Sequence, residues 1–111
     1  MVNKLYVLVR GDLTKSQQAV QACHAVAEFM LYSNEVNCWC GQCGSDQHWK
    51  NETIVLLKVK DLDHLNEWTA KVKEATKWYQ EFSEPDIGNQ MTAIAAYGDS
   101  LEVLLRDLPL L

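Results

Sequence analysis

The sequence predicts one α/β domain, residues 1–111, with a mixed four-stranded sheet and helices on both faces. Apolar runs typical of strands alternate with helical segments, and each of the first two strands is followed by a helix. Strand–helix–strand units favour parallel pairs. The last two strands are joined too briefly for a helical crossover, which favours an antiparallel pair. We therefore expect both kinds of pairing in one sheet.

The N-terminal part predicts a buried strand followed by a long helix. Lys4–Arg10 is an apolar run, and Thr14 and Gln17 fit a capping box that opens a helix over about Lys15–Tyr32. Two stripes of residues follow the helical repeat, and the apolar stripe is predicted to face the core. The apolar stripe consists of Ala19, Val20, Cys23, Val26, Ala27 and Met30, with Cys23 interpreted as a small buried side chain. The polar stripe consists of Gln17, Gln21, His24 and Glu28.

The second half of the chain predicts three further strands and two helices. Apolar residues occupy both faces of the strand Thr53–Lys60, which is therefore expected to be central in the sheet. The elements after it are a helix capped by Asp61 that ends near Ala75, an edge strand at Lys77–Phe82, a turn-rich link at Ser83–Gln90, a strand at Met91–Tyr97 and a short helix at Leu101–Arg106.

The composition restricts the classes of function. The formal net charge is −5, from 15 acidic and 10 basic residues. This charge argues against a protein that coats nucleic acid through a broad basic surface, but it is compatible with one small basic patch. No apolar stretch is long enough to span a membrane. The N-terminal segment lacks the pattern of a signal peptide, which predicts a cytoplasmic protein with reduced thiols.

A cysteine-rich segment interrupts the pattern at about residues 34–51 and is interpreted as a loop insertion. Cys38, Cys40, Cys43 and His48 offer four potential zinc ligands, although the spacing is crowded. Cys40 and Cys43 also match a thioredoxin-like motif, but that motif should follow a strand, and here it follows a helix. Plain reduced thiols and a zinc site are kept as equal alternatives, with redox activity behind both. No other cofactor is predicted.

Three stretches of the chain match one known pattern in order and spacing. Lys4–Arg10 leads into Asp12 and Leu13, Ala19–Ala25 is similar to Ala-Ala-Gln-x-x-His-Ala, and Asp86–Gln90 is similar to Asp-x-Gly-x-Thr followed by an apolar strand. Together they resemble the archaeal- and eukaryotic-type peptidyl-tRNA hydrolase family. The resemblance implies a mixed four-stranded sheet and hydrolysis of the ester that joins a peptide to the terminal ribose of tRNA. The implied partner is the 3′ end of peptidyl-tRNA, and no membrane partner is implied. Members of the family commonly form homodimers, so a homodimer is expected here as well.

The resemblance also implies roles for single residues. Asp86 would orient the attacking water, His24 would orient Asp86 or relay a proton, and Lys15 would hold an oxyanion or a phosphate at the helix start. The side chains expected to bind ribose, base edge or peptide amide are Gln17, Gln21, Asn89 and Gln90. By residue type alone, Asp86 is equally well explained as a turn residue, and His24 is somewhat better explained as an imidazole satisfied within the helix packing.

The chain departs from the family pattern at two positions. The family has a Gly-Lys-Gly-Lys run whose second Lys is held to be catalytic, and that register gives Gln17 here, with Lys15 as the nearby cation. The family's Thr is replaced by Gln90, and the Gly/Pro-rich turn that follows it is missing. Three classes of function are therefore compared: an ester hydrolase, a non-catalytic binding module with the same fold, and a zinc or thiol module centred on the cysteine-rich segment.

Overall fold

Four strands form one mixed sheet in the computed structural model, which describes residues 4–32 and 49–111. The strands are β1 (Lys4–Arg10), β2 (Thr53–Val59), β3 (Trp78–Glu84) and β4 (Gln90–Tyr97). The helices of the described residues are α1 (Lys15–Tyr32), α2 (Leu62–Ala75) and α3 (Leu101–Leu105), and a 3₁₀ turn covers Pro85–Ile87. The predicted fold class and the predicted elements are thereby confirmed, with small shifts at their ends.

The strand order is β2-β1-β4-β3, which places the first and last strands side by side. β1 pairs parallel with β2, and β4 pairs antiparallel with both β1 and β3. Because β1 and β4 run in opposite directions, the end of β1 lies beside the beginning of β4, with Val9 opposite Ala93. The residues that precede α1 and the turn that connects β3 to β4 therefore meet at one end of the sheet.

The helices cover both faces of the sheet, and each face carries its own core. Side chains alternate along β1, so that Leu5, Val7 and Val9 pack under α1. Tyr6 and Leu8 face the opposite side, where α2 and α3 pack. Three of the fully buried side chains of β4 are small, which lets both layers approach the sheet closely; they are Ala93, Ala95 and Ala96.

The two predicted helix caps are present. The Thr14 hydroxyl accepts the N–H of Gln17 at 3.2 Å, and the Gln17 side chain accepts the N–H of Thr14 at 3.1 Å. This reciprocal pair satisfies two of the N–H groups that the first turn of α1 leaves without helical partners. Asp61 caps α2 by accepting the N–H of His64 at 3.0 Å.

The prediction for the buried face of α1 was wrong. The fully buried residues are Gln21, Ala22, Ala25 and Phe29. Of the apolar stripe, only Val26 and Met30 pack against the core, whereas Ala19, Val20, Cys23 and Ala27 are exposed. Cys23 is thus an exposed thiol, not a buried small side chain. The stripe had helical spacing, but the sheet contacts the side of the helix that carries Phe29.

The prediction that the second strand is central was also wrong, because β2 is an outer strand. The C-terminal segment covers its outer edge. Lys58 donates its N–H to the carbonyl of Pro109 at 2.8 Å, and Leu111 donates its N–H to the carbonyl of Leu56 at 3.0 Å. This short pairing satisfies edge groups that would otherwise be open to other chains.

Two predictions concern residues or properties outside these elements. Cys38, Cys40, Cys43 and His48 lie outside the described residues, as does most of the predicted insertion at 34–51. Among residues 4–32 and 49–111, no helix has both the length and the apolar character that crossing a bilayer requires.

Candidate functional site

Two groups of hydrogen-bonded side chains lie where the end of β1, the beginning of α1 and the β3–β4 turn meet. The first, called the Arg10 cluster, consists of Arg10, Asp12 and Gln90. The second, called the Gln21 cluster, consists of Gln21, Glu84 and Thr92. Each group joins the first half of the chain to the segment that carries Asp86.

The Arg10 cluster is centred on a guanidinium at the end of β1, whose residue is only 6% exposed. Arg10 Nε donates to Asp12 Oδ1 at 3.0 Å and Nη2 donates to Asp12 Oδ2 at 2.8 Å, which is a bidentate ion pair. Its Nη1 donates to Gln90 Oε1 at 3.0 Å and to the carbonyl of Met91 at 3.2 Å. The charge of this buried residue is therefore paired with a carboxylate and tied to the first two residues of β4.

The ion pair makes stability depend on pH at the acid end. The hydrogen bond from Arg10 lowers the pKa of Asp12 from its ordinary value of 3.8. A carboxyl whose pKa is lower in the folded state stabilises the fold above its ordinary pKa, and that contribution is lost as the pH falls through the lowered value.

We therefore expect wild type to have a higher melting temperature than Asp12→Asn at pH 6, and the difference to shrink as the pH falls below about 4. Thermal melts at a series of pH values measure this difference. A difference that stays constant down to pH 2 would contradict a folded-state role for the Asp12 charge.

The Gln21 cluster lies between α1 and the strands β3 and β4. Gln21 is only 2% exposed, although the sequence placed it on a polar stripe. The Thr92 hydroxyl donates to Gln21 Oε1 at 2.7 Å, so the amide nitrogen of Gln21 must face the other way. That nitrogen donates to Glu84 Oε1 at 3.3 Å. The cluster thus connects α1 to the end of β3, two residues before Asp86.

His24 lies one turn further along α1 and is exposed. Its imidazole stacks on the ring of Phe82, with the ring centroids 4.4 Å apart and the planes 7° from parallel. Among the described residues, no hydrogen bond joins His24 to Asp86. The contact places the imidazole against β3, beside the strand end that leads into the Asp86 turn.

The Asp86 turn is held in a defined shape by its backbone. Pro85–Ile87 form the 3₁₀ turn, and Gly88 then adopts a left-handed conformation with φ of 64°, which glycine accepts without strain. Asn89 is also left-handed, with φ of 60°, and its N–H donates to the carbonyl of Glu84 at 3.0 Å. Asp86 is exposed, and its carboxylate makes no hydrogen bond to a described residue.

The structure therefore brings together most of the residues that the sequence singled out. Gln21 and Gln90 are anchored in the two clusters, and Asp86 and Asn89 share the turn between them. Lys15 and Gln17 are exposed in the first turn of α1, which begins five residues after Arg10.

Four residues of the site were missed at the sequence level: Arg10, Asp12, Glu84 and Thr92. A weak signal existed for the first pair, because an Arg that ends a buried strand needs a nearby carboxylate. No comparable signal marked Glu84 and Thr92, which meet Gln21 across 63 and 71 residues of sequence.

Two other features of the described structure bear on ligand binding. Among residues 4–32 and 49–111, no group of three His, Cys, Asp or Glu side chains is placed to hold a metal ion. An open groove lies at the opposite end of the sheet, between the end of α2 and the start of α3. Its charged lining residues balance in sign: Lys73, Glu74, Lys77 and Asp99. None of the predicted site residues lies there.

A comparison with known protein families found one match that includes these residues. Residues 3–101 match the family described as Peptidyl-tRNA hydrolase PTH2. A search of curated proteins found no match. The family match covers β1, α1, β3 and β4, which supply the residues of both clusters, and it also covers the Asp86 turn. The chain belongs to the Peptidyl-tRNA hydrolase PTH2 family.

Proposed function

We propose that this protein hydrolyses the ester bond of peptidyl-tRNA, or of a related tRNA-linked ester, and releases free tRNA and peptide. The family match over residues 3–101 supports the reaction class. One observation supports placing the active site at the Asp86 turn. Hydrogen bonds on either side of this turn, Gln21–Glu84 and Arg10–Gln90, connect it to α1 and β1. A cytoplasmic location belongs to the same proposal, since the substrate is a product of translation.

In the proposed mechanism, Asp86 orients the water that attacks the ester carbonyl. Its carboxylate is exposed, so a water molecule has access to it. A carboxylate oxygen at this position can accept a hydrogen bond from that water and draw a proton from it as the attack proceeds. The attack needs no covalent intermediate on the protein, because the structure offers neither a Ser–His–Asp nor a Cys–His arrangement among the described residues.

His24 is proposed to act beside Asp86, either by orienting bound water or by relaying the proton that the leaving ribose hydroxyl requires. Stacking on Phe82 restricts the imidazole to one plane, which favours a fixed direction for its nitrogens. The ring remains exposed, so exchange of a proton with water is open to it.

Lys15 is proposed to bind a phosphate of the tRNA end. It lies in the first turn of α1, where the helix dipole favours negative charge, and no acidic residue occupies that turn. We expect Lys15→Ala to weaken tRNA binding and to reduce the slope of log Kd against log salt by about 0.7 to 0.9, the contribution of one phosphate contact.

The measurement is a salt titration of binding to deacylated tRNA. Lys71→Ala is a suitable control, because Lys71 is an exposed lysine on α2, on the other face of the sheet. An unchanged slope for Lys15→Ala would remove the phosphate contact from the mechanism.

The experiment that tests the proposed function is single-turnover release of peptide from purified peptidyl-tRNA, with the protein in excess. Release well above the uncatalysed rate is expected. Binding of tRNA without release would instead favour a binding module that kept the fold. The metal content of protein purified without chelator tests the zinc hypothesis for Cys38, Cys40, Cys43 and His48, and one zinc per chain would support it.

A further inference from the structure

The orientation of the Gln90 side chain is dictated by Arg10. An arginine side chain has only donors, so the Gln90 atom 3.0 Å from Arg10 Nη1 must be the carboxamide oxygen. Arg10 is itself held by the two Asp12 oxygens and by the carbonyl of Met91. The carboxamide nitrogen of Gln90, with its two N–H donors, therefore points away from the buried guanidinium.

These donors belong to an exposed side chain at the end of the Asp86 turn. Gln90 is the first residue of β4, four positions after Asp86 in the chain. Among the described residues, none accepts a hydrogen bond from its amide nitrogen. A cation bonded to the amide oxygen polarises the group, which makes the N–H groups better donors. The arrangement is suited to an oxygen atom that acquires negative charge.

We propose that Gln90 is a catalytic residue whose amide N–H donates to the carbonyl oxygen of the scissile ester, and that Arg10 is the positioning residue that aims it. This inference rests on the proposed function. When the water oxygen bonds to the carbonyl carbon, the π electron pair moves to the carbonyl oxygen, and Gln90 stabilises that charge. The pair then returns and the bond to the ribose oxygen breaks. One proton of the attacking water passes to the ribose oxygen, which leaves as a hydroxyl, and the other is released to solvent as the peptide leaves as a carboxylate.

Two substitutions of Gln90 separate this role from a structural one. Gln90→Glu keeps an acceptor for Arg10 and removes the donor, and Gln90→Met removes both without adding charge. We expect each to lower the single-turnover rate by about 10²-fold, the scale for loss of one oxyanion donor. Gln90→Glu should melt at or above the wild-type temperature, because Arg10 then faces a carboxylate.

Asn66→Asp is the matched control, since it makes the same change from amide to carboxylate at an exposed position on α2. It should hydrolyse at the wild-type rate. A wild-type rate in either Gln90 variant would overturn the proposal, because Gln90→Met separates loss of the donor from added negative charge.

Arg10→Lys tests the positioning role. It keeps the positive charge but loses the planar fork that reaches Asp12 and Gln90 together. We expect a rate loss of about 10-fold in the wild-type background and little further loss in the Gln90→Glu background, since the two residues would act as one unit. If Arg10→Lys lowers the hydrolysis rate by the same factor in both backgrounds, Arg10 acts on stability alone and does not position Gln90.

A binding measurement keeps the outcome separate from that of the proposed function. The probe is an N-acylated aminophosphonate ester of adenosine, whose tetrahedral anionic phosphorus mimics the charged intermediate. Wild type should bind it at least about 10-fold more tightly than Gln90→Met does. If wild type hydrolyses nothing but this difference holds, the Gln90 site stands and the proposed reaction fails. Equal binding, or no binding to wild type, overturns the Gln90 site.

Discussion

Replacing Asp86 with asparagine is expected to lower the single-turnover rate of peptidyl-tRNA hydrolysis by about 10²-fold or more, the usual scale for a positioned acid–base group. Asparagine keeps the shape of the side chain but loses the negative charge and the basicity that hold and polarise water. The melting temperature should change little, because Asp86 is exposed and its carboxylate bonds to no described residue.

The measurement is single-turnover hydrolysis combined with a thermal melt of each variant. Asp107→Asn provides a matched control, since Asp107 is an exposed carboxylate beyond α3 that belongs to neither cluster. If Asp86→Asn remains folded and hydrolyses at the wild-type rate, Asp86 is a turn residue and the family mechanism does not apply at this position.

The largest loss of stability is expected from Phe29→Ala on α1. Phe29 is fully buried between the helix and the sheet. Truncating a buried phenylalanine removes its transfer free energy and leaves a cavity, which together cost about 3–5 kcal/mol of the free energy of unfolding. For a domain of this size, such a loss is a large part of the total stability.

Val20→Ala on the same helix is the control, because the Val20 side chain is 48% exposed. It should change the free energy of unfolding by no more than about 0.5 kcal/mol. Chemical denaturation of both variants compares the two faces of α1 directly. A larger loss for Val20→Ala than for Phe29→Ala would restore the face that the apolar stripe predicted and would contradict the structure.

Features set by neighbouring residues could be predicted from the sequence. The capping box of Thr14 and Gln17 needs only residues three positions apart, and it marked the start of α1 correctly. The apolar run of β1 and the cap at Asp61 are equally local. The short link before β4 required an antiparallel pair, and the sheet contains one there. Fold class and element order therefore followed from local patterns and chain connectivity.

The sequence did not predict in the same way which face of a helix is buried. Ala19, Cys23 and Ala27 have helical spacing and apolar character, but small side chains also fit a solvent-facing side. Gln21 was assigned to the polar stripe by its spacing and residue type, since the two partners that permit its burial lie far along the chain and leave no local signal. Burial of an amide is favourable only where such partners are present, and their presence depends on how β3 and β4 pack against α1.

The candidate site also combines features that the sequence determined with features that only the tertiary structure decided. By itself, the sequence determined the fold class, the start of α1, and the family whose motifs single out Asp86, His24 and Gln21. Only the tertiary structure decided that Arg10 orients Gln90 and that Glu84 orients Gln21. The physical reason is that an amide has a donor side and an acceptor side, and the partner that selects between them is supplied by strand pairing and by the packing of α1 on the sheet.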